Sequence, residues 1–93
     1  MIRKSNFNRG AYIYIEGDED VDDIFIVENG VIQLTNYNSN VPRIKSTINQ
    51  GEVFGVISSL SNRPRIESAV AATDVTNDSF PSFLTDSPAS KVP

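Results

Sequence analysis

Short apolar blocks alternate with glycine, proline and polar runs along the whole chain. Ala11-Tyr12-Ile13-Tyr14-Ile15 is β-branched and aromatic, and Ile24-Phe25-Ile26-Val27 is a compact apolar block. Val31-Ile32-Gln33-Leu34-Thr35 follows after Asn29-Gly30. Asn-Gly between two such blocks is the strongest short-range hairpin signal, so these two blocks are expected to pair. Asn36 to Pro42 reads as a polar loop. Arg43 to Ile48 then alternates, with Ile44, Ser46 and Ile48 on one face and Arg43, Lys45 and Thr47 on the other. Ser68 to Val75 is small and β-branched, and Phe54 to Leu60 is the one stretch suited to a short helix.

The pattern predicts strands near 11–16, 23–28, 30–36, 43–48 and 67–74, with one helix near 54–60. Short strands separated by turns imply an all-β barrel or sandwich rather than a βαβ fold. Ile13, Ile15, Phe25, Val27, Ile32, Leu34, Ile48, Phe54, Leu60 and Val70 are the expected core. A barrel is expected over 1–80, and the Ser/Pro/Ala/Lys-rich end, 81–93, reads as a disordered or partner-dependent tail.

Composition narrows the chemistry. The chain has 93 residues, enough for one domain, and contains neither cysteine nor histidine. Disulfides, thiolate nucleophiles and cysteine metal sites are excluded, as are histidine general bases and ligands. The histidine-bearing metal sites of jelly-roll enzymes are excluded with them. No metal site and no catalytic residue is expected. The net charge is −4, and the eight basic residues are scattered, which argues against a nucleic-acid partner. No run is long and apolar enough to span a membrane, and the N-terminus lacks a secretory pattern, so a cytoplasmic address is the default.

Two motifs carry bland readings. Asp18, Asp20 and Asp22 have the alternating spacing of a calcium loop, but Asp23 stands where the turn needs glycine and Asn29 where it needs glutamate. A solvated acidic turn is the better reading. Asn77-Asp78-Ser79 matches the glycosylation triplet, and without a secretory signal it reads as accidental.

The informative stretch runs from Gly51 to Val70. Gly55 permits a tight approach of backbone to ligand. A short helix after it would turn free N–H groups toward an anion. Arg65, ten residues on, would return across the loop and pair with that anion through its planar fork.

Phe7-x-x-Gly10, Ile15-x-Gly17-Asp18, Phe25-x-Val27-x-x-Gly30-x-Ile32, Gly51-Glu52-x-Phe54-Gly55, Pro64-Arg65 and Thr73-Asp74 occur in this order. This pattern resembles the cyclic nucleotide-binding domain family from about Phe7 to Asp74. The resemblance implies an eight-stranded jelly-roll β-barrel with one short helix in its phosphate cassette. It implies cAMP or cGMP, or another small anion, as ligand, with no cofactor. The implied ligand-binding residues are Gly55, Val56, Ile57, Ser58, Arg65 and Ser68. Arg65 takes the place of the phosphate-pairing arginine, Gly55 of the cassette glycine and Ser68 of the hydroxyl residue beyond the arginine.

The chain departs from the family at two places in that site. Val56 stands where the family glutamate accepts the ribose hydroxyl, and valine cannot accept a hydrogen bond. Glu67 either pairs with Arg65 or repels the phosphate. The family's last strand finds little apolar alternation in Val75-Thr76-Asn77-Asp78, and its flanking helices have no counterpart. The expected function is a non-catalytic regulatory domain with weak or lost ligand binding. The alternative is an interaction module that keeps the barrel without a nucleotide. Either belongs with a protein partner or with the rest of a larger regulatory protein.

Overall fold

The computed structural model describes residues 2–38 and 40–82; of the expected tail, residues 83–93 lie outside the described residues. Eight strands and one helix follow in chain order: β1 (Arg3–Phe7), β2 (Tyr12–Tyr14), β3 (Asp23–Asn29), β4 (Ile32–Asn38), β5 (Val41–Ile48), β6 (Val53–Phe54), α1 (Val56–Ser61), β7 (Ser68–Ala71) and β8 (Val75–Pro81). They form two four-stranded sheets in the orders β1-β8-β3-β6 and β2-β7-β4-β5, and every pairing is antiparallel. This is the strand order of a jelly roll, as the resemblance implies.

The core lies between the sheets. Val27, Phe54 and Val75 from one sheet meet Tyr14, Ile32, Ala69 and Ala71 from the other. Phe7, Ile13, Phe25, Leu34 and Ile48 pack around them partly buried. Phe25 and Phe54 face each other across the β3–β6 ladder with ring centroids 5.1 Å apart. Tyr14 joins them at 5.9 and 6.1 Å, which makes an aromatic triad at one end of the core.

Several expectations are corrected. Asn29-Gly30 does not close a hairpin, because β3 and β4 belong to different sheets. The turn crosses between sheets, and Gly30 is required there by a close approach. Its φ is 100°, and a Cβ would collide with the Asp74 carbonyl oxygen and stand 2.9 Å from Thr73 Oγ1. The polar run 36–42 is not a loop: it holds the end of β4 and the start of β5, which pair from Asn38–Val41 onward. Alternation along β5 breaks at a bulge. Leu34 pairs with Ser46 and Thr35 with Ile44, which leaves Lys45 as the extra residue. The strand expected over 67–74 ends early, at Ala71, and β8 begins beyond it at Val75, in the other sheet.

The core expectation fails at Ile15 and Leu60, which are 52% and 56% exposed. β2 ends at Tyr14, and Ile15 opens a turn in which its N–H donates to Asp18 Oδ2 at 2.9 Å. In α1, Ser58 and Ser59 occupy the buried face, which puts Leu60 outside. Val21 and Ile24, beside the acidic run, are buried instead.

Candidate functional site

The segment from Gly55 to Ser68 lies against the turn that follows β2. Gly17 N–H donates to Arg65 O at 2.8 Å, and Arg65 N–H donates to Asp18 O at 2.9 Å. Glu16 N–H donates to Ser68 Oγ at 2.8 Å. The acidic turn is therefore a clamp on the Arg65 backbone, and among the described residues no acidic cluster could hold a metal ion.

Arg65 is 3% exposed and points into the barrel. Its Nη1 donates to Gly55 O at 2.7 Å and its Nη2 to Asp23 O at 2.9 Å. The guanidinium carbon lies 4.3 Å from the Tyr14 ring centre and 5.8 Å from that of Phe25. Nε is buried and, among the described residues, has no hydrogen-bond partner. Among the described residues no carboxylate pairs with it. A buried cation balanced only by carbonyl dipoles and ring faces is costly, and the fork, the stacking and the carbonyls offset that cost together.

Gly55 makes this pose possible. It precedes α1 with φ 79° and ψ 12°, and a Cβ there would stand 2.9 Å from Arg65 Nη1 and 3.2 Å from Phe25 Cδ2.

Beside Gly55 opens a cavity of about 180 Å³, lined by Leu34, Val53, Phe54, Gly55, Val56, Ile57 and Glu67. Of the six site residues expected from the sequence, Gly55, Val56 and Ile57 line it, and Ser58, Arg65 and Ser68 do not. Ser58 is 2% exposed and donates its hydroxyl to Pro64 O at 3.3 Å. Ser68 is 3% exposed, with its hydroxyl accepting from Glu16. Glu67 is the ionisable residue in the lining. It makes no pair with Arg65; instead Lys45 Nζ lies 3.4 Å from its Oε1, reaching over from the β5 bulge. Burial pushes the Tyr14 phenol well above its ordinary pKa of 10, and the Glu67 carboxylate pushes it the same way, while Arg65 opposes both.

Asn77 is 1% exposed on the inner face of β8, so the glycosylation triplet is sealed inside the fold. A family model for the cyclic nucleotide-binding domain matches residues 4–81.

The chain belongs to the cyclic nucleotide-binding domain family.

Solved structures agree with the fold of this cyclic nucleotide-binding domain. It is similar to an EAL enzyme in its cAMP-bound form at 22% identity and a TM-score of 0.80, over 86% of this chain and 22% of that one. The regulatory subunit of a cAMP-independent protein kinase A from Trypanosoma brucei aligns at 20% identity with a TM-score of 0.80, over 87% and 30% of the two chains. The N-terminal domain of a transcriptional regulator from Streptomyces coelicolor aligns at 22% identity and 0.78, over 86% and 57%. The domain thus spans less than a third of the first two chains. Among curated proteins, none matches this sequence.

Proposed function

We propose that this domain is a non-catalytic regulatory module whose cyclic nucleotide binding is weak or lost. One observation carries the reading. Arg65, the cation in the family's phosphate-pairing position, is turned inward onto the carbonyls of Gly55 and Asp23, while the cavity beside Gly55 presents the Glu67 carboxylate. An anion would have to draw Arg65 away from two hydrogen bonds and two ring faces before gaining from it. Val56 in the lining supplies no acceptor for a ribose hydroxyl, which removes a charge-assisted bond of about 1.5–3 kcal/mol. The residual ligand is cAMP, cGMP or another small anion, held in the cavity at Gly55, Val56 and Ile57; Ser58, Arg65 and Ser68 join it only by giving up the hydrogen bonds they make here.

Among the neighbours of this fold, one is a cAMP-bound EAL enzyme, another is the regulatory subunit of a cAMP-independent protein kinase A, and a triple mutant of that subunit is bound to cAMP. The matched chains are longer than this one, which supports a role as the sensing or docking part of a larger regulatory protein. No helix of the described residues is long and apolar enough to cross a membrane, and we place the domain in the cytoplasm. The net charge of −4 argues against a nucleic-acid partner.

Thermal unfolding with millimolar cAMP and with cGMP tests the reading, because a ligand that binds only the folded state must raise the melting temperature. A small or absent shift is expected; a large shift with either nucleotide contradicts weak binding.

A second reading is an interaction module that binds no nucleotide. The inward pose of Arg65 favours it, since that pose gives the guanidinium a folding role with no ligand present. No shift with any nucleotide, together with loss of stability in Arg65→Ala, would select it.

A further inference from the structure

We propose that Glu67 is an electrostatic gate on the cavity beside Gly55, and that Glu67, with Lys45 as its counter-ion, selects against phosphate-bearing ligands. The inference rests on the proposed reading of that cavity as the ligand site and names the residue that weakens it. Four observations support it. The Glu67 side chain is 12% exposed, so solvent screens its charge poorly. It is a lining residue, and the remaining lining is apolar side chain or glycine, so no other charged group in the wall offsets it. Arg65 lies outside the lining and makes no ion pair with it. Its one ion-pair partner among the described residues, Lys45, is 41% exposed and 3.4 Å away, a long contact for a charged pair.

The β5 bulge gives Lys45 its place in this arrangement. As the extra residue between Ile44 and Ser46, it departs from the plain alternation of the strand and reaches Glu67. Glu67 is thereby tolerated in a nearly closed position, yet Lys45 is tied to it and is not free for a ligand. An anion entering the cavity meets a poorly screened like charge, which raises its free energy, whereas an uncharged ligand of similar shape does not. Replacing the carboxylate by an amide removes the repulsion and frees Lys45 at the same time.

The test is calorimetric titration of wild type, Glu67→Gln, Lys45→Gln and Val56→Glu with cAMP, and in parallel with adenosine. Adenosine shares the base and ribose and lacks the phosphate. Circular dichroism first establishes that each variant is folded. Glu67→Gln should strengthen cAMP binding about tenfold or more and leave adenosine unchanged. The difference should shrink at high salt. Lys45→Gln, which leaves the carboxylate uncompensated, should weaken cAMP further or leave it undetectable. If Glu67→Gln leaves cAMP binding where it is, or strengthens adenosine equally, the gate is overturned. A gain in Val56→Glu without one in Glu67→Gln would overturn it too, and would assign the weakness to the missing ribose acceptor, leaving the proposed function intact. Tight cAMP binding by the wild type would instead overturn the proposed function.

Discussion

Arg65 Nη1 donates to the Gly55 carbonyl oxygen at 2.7 Å, and the same nitrogen lies 2.9 Å from where a Cβ on residue 55 would stand. The glycine is therefore both the acceptor of the guanidinium and the gap that admits it. Gly55→Ala should lower stability by about 1–2 kcal/mol from its left-handed backbone alone, with a further loss as Arg65 is displaced. Urea unfolding measures this as a lower midpoint. An unchanged midpoint would mean that the guanidinium is not packed against residue 55.

Arg65 itself should be needed for folding as well as for any anion. Removing it strands the carbonyls of Gly55 and Asp23 and empties the space over Tyr14. Arg65→Ala should cost about 2–4 kcal/mol, from the orphaned acceptors and the lost stacking. Arg65→Lys should recover little, since a point charge cannot span both carbonyls. Denaturant midpoints of the two variants and the wild type check the order.

Asn77 lies on the inner face of β8 with its side-chain amide nitrogen and oxygen both buried and, among the described residues, without a partner. Asn77→Val puts a β-branched residue in the strand and removes the unmet groups, so it should raise stability by about 1 kcal/mol. For a domain of this size that is a rise of about 4–8 °C in melting temperature. A fall would show that the amide has partners within the core.

Tyr14 makes stability depend on alkaline pH. Its folded pKa is raised above the ordinary value of 10, so the native state holds the phenolic proton more tightly than the unfolded chain does. That stabilisation is fully present below pH 10 and is lost as pH rises from there toward the folded pKa. Tyr14→Phe should flatten the loss. Unfolding free energies of both proteins below and above pH 10 check the sign, and identical alkaline slopes would contradict it.

Much of the fold was legible because jelly-roll strands are short and punctuated. β2, β3, most of β4 and of β5, β7 and α1 lie where apolar alternation and glycine place them. β8 was not, because its inward residues are Val75, Asn77 and Ser79, and only the first is apolar. β1 was hidden for a related reason: Arg3 to Asn6 are exposed, so the strand is defined by its ladder with β8 rather than by burial. Gly30 signals a turn, but which sheets that turn joins depends on the Asp74 carbonyl, 44 positions away in the chain.

The site divides in the same way. The glycine and arginine of the cassette are local signals. The direction in which Arg65 points is not, since Tyr14, Asp23 and Phe25 decide it from distant strands. Glu67 reads in sequence as either a partner of Arg65 or a repulsive neighbour. Only the bulge at Lys45 and the wall it shares with Val56 favour the second.

Calorimetric titration of the wild-type protein with cAMP tests the central claim most directly. With Arg65 engaged inside the barrel and Glu67 in the cavity wall, the dissociation constant should be weaker than about 100 μM, or no heat of binding should be seen. A dissociation constant below about 1 μM would contradict the account, because binding that tight requires Arg65 to face the ligand at little cost.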